Sequence, residues 1–200
     1  MDENEKSAAF VASLGTEYFV LQGAANATIG ESSSRSSMFL LCLSSGVVSL
    51  GFVLGASESV FLPFAAAVLP TIFILGIFTI VRLVDTSVQN VAALRGMARI
   101  RAFYSELTPE APAYFSTSGS EVQDAQRMLG IRYRATSLFF TMASTIGAVN
   151  SLLGGTIAGL GIFTVSSGNG PLAIIAAALV AVALFATCLV YQRHRFARDL

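Results

Sequence analysis

Long apolar runs alternate with polar segments along this chain. Residues 36–57 and 59–81 contain no Asp, Glu, Lys or Arg, and only Glu58 parts them. Residues 135–192 form a third charge-free run, 58 residues long. A hydrocarbon core about 30 Å thick needs roughly 20 apolar helical residues to cross it. The runs therefore predict four helical spans, near Ser37–Ala56, Val60–Val81, Leu138–Val165 and Pro171–Tyr191. A short turn around Ser57–Ser59 joins the first two. Ser166, Ser167, Gly168, Asn169 and Gly170 read as a tight polar turn joining the last two. The third run has the length to tilt, or to bend at Gly154 and Gly155. Pro70 is expected to kink the second helix.

The polar segments carry helical patterns of their own. Phe10, Leu14, Tyr18, Leu21 and Ala25 recur at three- and four-residue steps, which makes one apolar helix face within residues 7–35. That face fits either a partner protein or this chain's own second polar segment. Glu31 precedes Arg35 by four residues, the favourable order for a helix-surface pair. Five serines between Gly30 and Ser37 argue against one unbroken helix into the first span. After the second span, Val84, Val88, Val91 and Leu94 keep a helical stripe, so the helix is expected to run on to about Leu107 and stop before Pro109 and Pro112. Glu121–Met128 predicts a further short helix capped by Ser118 or Ser120, ending near Gly130.

Composition agrees with a membrane protein: 54% of residues are hydrophobic and only 12% charged, against about 25% charged in soluble domains. The signs of the charges give an orientation. None of the twelve Lys and Arg residues lies in either short turn. The positive-inside rule then places both termini and the central segment in the cytoplasm. The predicted fold is all-α. It is an integral membrane four-helix bundle of two transmembrane hairpins (37–81 and 137–191). A cytoplasmic N-terminal helix and linker (1–36), a cytoplasmic helical hairpin (82–136) and a basic tail (192–200) complete it. The acidic start, with Asp2, Glu3 and Glu5, lacks the basic region of a secretory signal, so a cleaved signal peptide is not expected. The sequon at Asn26 falls on the cytoplasmic side and is discounted.

Candidate chemistry is sparse. Cys42 and Cys188 lie inside spans and show no metal-ligand spacing, and no metal or cofactor is expected. His194 follows a span directly, where an interfacial role is the ordinary one. Glu106 and Glu110 are separated by Pro109 and read as solvated loop residues. No nucleophile elbow or phosphate-binding loop is present, so no enzyme is expected. The spans hold no ionisable group, which argues against ion-coupled transport. Two features remain. Arg95, Arg99 and Arg101, then Arg127, Arg132 and Arg134, then Arg193, Arg195 and Arg198 form basic clusters. They suit anionic lipid or another anion, or simply fix topology. No aromatic interleaving points to nucleic acid. Gly147, Ser151, Gly155 and Gly159 follow at four-residue steps with Asn150 beside them, and Gly51 and Gly55 repeat the spacing in the first span. Such rows let helices approach closely, within one bundle or between subunits. Asn150, Thr145 and Thr156 are also candidates to line a narrow polar path.

The segment Thr16–Gln22, with Glu31 and Arg35 before a span, resembles a family of small uncharacterised bacterial four-span membrane proteins. So does the run from Val81 to Val84 with Arg95–Arg101 and Tyr104. The layout is also distantly similar to SLATT-type effectors, in which a cytoplasmic helix leads into a transmembrane hairpin. This chain adds a second hairpin and a longer central segment. The resemblance implies a multi-pass protein of the inner (plasma) membrane and transfers no catalytic residue. The leading expectation is a non-enzymatic, oligomeric membrane protein. Its surroundings would be the lipid bilayer and further copies of itself, with cytoplasmic helices binding a protein partner or sensing a signal. The alternatives are a pore-forming or channel-like effector and, third, a small-solute transporter.

Overall fold

The computed structural model describes residues 2–56, 58–110, 113–114 and 141–199. Among them regular structure is helical: α1 is Glu3–Ala56, α2 Glu58–Ser105, α3 Met142–Val165 and α4 Gly170–Asp199. Each is long and apolar enough to cross a membrane. At 54 and 48 residues, α1 and α2 are more than twice the roughly 20 residues a crossing needs.

The helix ends follow from local chemistry. Asp2 caps α1: its carboxylate accepts from the Asn4 amide at 2.8 Å, and the Glu5 carboxylate accepts from the Asp2 amide at 3.0 Å. This reciprocal pair satisfies two donors that a helix start leaves open. Thr141 caps α3 by accepting from the Ser144 amide at 3.1 Å. The helix begins at Met142, because Thr141 has extended backbone (φ −79°, ψ 154°); residues 138–140 of the expected span lie outside the described residues. At the other end of α3 the Gly168 amide reaches back to the Phe163 carbonyl at 2.9 Å, with Ser167 at φ 55° and Gly168 at φ 90°. That is a Schellman-type stop, with serine in the left-handed position that glycine usually takes. Asn169 then caps α4 by accepting from the Leu172 amide at 3.2 Å, and Pro171 sits in the first turn, where its missing N–H costs nothing.

The serine-rich stretch does not interrupt α1. Ser36 donates to the Ser32 carbonyl at 2.9 Å, and such back-bonding lets a hydroxyl lie mid-helix without an open polar group. Pro63 and Pro70 both lie within α2. The short helix expected over Glu121–Met128 lies outside the described residues.

The described residues form two compact units. One is built from residues 2–31 and 86–114, the other from 32–85 and 141–199. In the first, Leu21 packs on Gly96, Ala25 and Thr28 are buried, and the Phe10 and Phe103 rings meet edge to face at 5.7 Å. In the second, Phe39 of α1, Leu69, Ile72, Leu83 and Val84 of α2, and Ile146 and Leu153 of α3 form the core. Lipid tails are as apolar as these side chains, so close packing rather than the hydrophobic effect must hold such spans together.

Candidate functional site

The row of small residues on α3 faces α4 of the same chain. A β-carbon on Gly155 would sit 2.5 Å from the Ala177 carbonyl oxygen and 2.9 Å from Ala181 Cβ. One on Gly159 would lie 3.0 Å from Ala177 Cβ, and one on Gly147 2.7 Å from Cys188 Sγ. Ser151 is buried in the row, and its hydroxyl donates to the Gly147 carbonyl at 2.7 Å. Nothing polar is left open there.

Asn150 points away from that row, towards α2. Its carboxamide oxygen is buried, accepts no hydrogen bond, and rests against Gly76, where a β-carbon would overlap it. The same β-carbon would lie 2.8 Å from Phe39 Cε2. The glycine hydrogen that stands in place of a β-carbon can give such an oxygen a weak C–H contact. Thr145 and Thr156 are exposed and return their hydroxyls to their own helix. The structure does not bring them together with Asn150.

A polar cluster forms where α3 begins and α4 approaches its end. Gln192 is fully buried, and its side-chain oxygen accepts from Ser144 at 3.1 Å and from Thr141 at 3.2 Å. The Gln192 amide points to Cys188 Sγ at 3.4 Å. One turn on, Arg195 pairs with Asp85 of α2 at 2.8 Å. Both are about one-third exposed, so the pair contributes at most about 1 kcal/mol.

The remaining basic candidates separate. Arg101 donates to the Tyr18 hydroxyl at 2.9 Å, with its guanidinium 5.7 Å from the ring centre. Arg95 is half-buried, while Arg99 and Arg193 are exposed. Arg127, Arg132 and Arg134 lie outside the described residues. His194 and Cys42 are exposed, and no group of His, Cys, Asp and Glu among the described residues is placed to hold a metal ion.

Gly51 and Gly55 are exposed and meet nothing within 4 Å. Other glycines, not singled out by their spacing, are packed instead. A β-carbon on Gly46 would overlap Ile72, one on Gly76 would overlap Asn150, and one on Gly154 would lie 2.5 Å from Leu184. Each answers particular side chains on other helices, so no repeat in the sequence marks it. No protein-family model, curated protein or solved structure matches the chain.

Proposed function

We propose that the protein is a non-enzymatic, multi-pass protein of the inner (plasma) membrane that works as a homo-oligomer. In this reading two transmembrane hairpins cross the bilayer. Both termini and residues 82–136 stand in the cytoplasm, where the paired ends of α1 and α2 meet a protein partner or register a signal. The basic residues confined to one set of segments support the orientation. On α1, Phe19 is 71% exposed, Val20 60% and Ile29 57%, which supports a docking role for the water-facing part. The polar groups buried in the spans are engaged in packing, which favours a structural task over a catalytic one.

One observation carries the oligomer. Glycine inside a helix costs about 1 kcal/mol relative to alanine. On α2 and α3, Gly76, Gly96, Gly147, Gly154, Gly155 and Gly159 offset that cost with a close neighbour. Gly51 and Gly55 have none within the chain; Gly161 is open as well, but it stands alone, whereas these two lie four residues apart on one helix face. A span of a second copy seated on them would supply it. The test is the mass of the protein–detergent complex by light scattering. Gly51→Leu with Gly55→Leu should shift a multimer to a smaller species with helix content unchanged. A monomeric wild type, or an unchanged multimer in the variant, would refute the reading. Conductance of the pure protein in liposomes would favour the pore-forming alternative.

A further inference from the structure

We propose that Arg193 and Arg198 form a docking surface for the phosphates of anionic phospholipids, and that Arg195 does not belong to it. The proposal rests on α4 being a membrane span. The exposed apolar face of α4 runs from Leu172 through Ile175, Leu179 and Val182 to Val190. Eighteen residues at 1.5 Å each make roughly 27 Å, close to the hydrocarbon thickness of about 30 Å. The next residues on the helix must therefore lie at headgroup depth. At about 100° per residue, Arg193 and Arg198 fall roughly 60° and 80° to either side of Val190, whereas Arg195 falls roughly 140° away. Exposure agrees: Arg193 and Arg198 are exposed, while Arg195 turns inward to Asp85 at 2.8 Å. Helical side chains lean towards the N-terminus of their helix, which on α4 is back towards Val190 and the bilayer. Arg198, about 12 Å beyond Val190 along the axis, is thus brought nearer to the phosphates, and its long stem snorkels along the interface.

A phospholipid is favoured over a free anion because the two guanidinium groups flank a lipid-facing stripe, not a closed pocket. The experiment uses the full chain in a neutral detergent, with equal phosphatidylglycerol and phosphatidylcholine added and bound lipid counted by native mass spectrometry. Wild type should retain phosphatidylglycerol preferentially. Affinity should fall about five-fold for each of Arg193→Gln and Arg198→Gln. Arg195→Gln should keep the preference, even where its thermal midpoint drops. Equal retention of both lipids by wild type, or undiminished preference in the Arg193→Gln/Arg198→Gln double variant, would overturn the proposal. So would displacement of the lipid by inorganic phosphate at equal concentration, which would mark a free-anion site. The helix content of the double variant in phosphatidylcholine checks that it folds. A chain monodisperse in water without detergent would instead refute the span itself.

Discussion

Gly76 of α2 lies directly against the side-chain oxygen of Asn150 of α3, and no β-carbon fits between them. Two residues that are individually unfavourable in a buried span, a helix-weakening glycine and an amide oxygen without a donor, therefore explain each other. The glycine leaves the room that the amide fills, and Phe39 closes the same space from α1.

Gly76→Ala should lower stability by about 1–3 kcal/mol, the usual cost of overpacking. Adding Asn150→Ala should return part of that loss, because the alanine methyl then meets space instead of the carboxamide. Thermal unfolding in mild detergent measures both. Strict additivity of the two changes, within about 0.5 kcal/mol, would mean that the residues do not act on each other.

Gly155 and Gly161 should respond oppositely to alanine. At Gly155 the new methyl would press on the Ala177 carbonyl, a backbone atom that cannot rotate aside. At Gly161 nothing lies within 4 Å, so alanine should add up to about 1 kcal/mol of helix propensity. Leucine should widen the gap at Gly155. Since that row faces α4 of the same chain, the damage should appear as a lower melting temperature with the oligomer mass unchanged. Equal tolerance at both positions would contradict this packing.

In the other unit, Tyr18→Phe should cost about 0.5–1.5 kcal/mol, the value of one hydrogen bond, while keeping the ring under the Arg101 guanidinium. Arg101→Gln removes both the hydrogen bond and the cation–ring contact, and should cost more. Hydrogen exchange of the amides of residues 3–31 reports it: exchange should quicken modestly in the first variant and further in the second. Equal quickening in the two variants would show that the ring contact contributes nothing.

Much of this fold was legible because the bilayer is a demanding solvent. Charge-free runs mark helices long enough to cross, and Ser166–Gly170 declares a turn by composition. The stripe of Phe10, Leu14, Tyr18, Leu21 and Ala25 was readable too, and Phe10, Tyr18 and Leu21 meet Phe103, Arg101 and Gly96 of α2. Contacts between distant residues were not legible. Arg195 looks like one more member of a basic tail until the fold brings Asp85, 110 residues away, to its side. Gly46, Gly76 and Gly154 carry no repeat, since each fits particular side chains of other helices. The serines before the first span misled for a physical reason: serine favours turns, but Ser36 bonds its hydroxyl back to the Ser32 carbonyl and the helix continues.

The most direct test is the accessibility of single cysteines in a background with Cys42 and Cys188 replaced by alanine. Gly170→Cys, in the turn before α4, and Gly23→Cys, on the exposed side of α1, both enter open space, so neither should disturb folding. In intact cells an impermeant thiol reagent should label the cysteine at position 170 and leave the one at position 23 unlabelled until the membrane is opened. Labelling of position 23 but not of 170 in intact cells would invert the proposed orientation, and equal labelling of both would contradict an odd number of crossings between them.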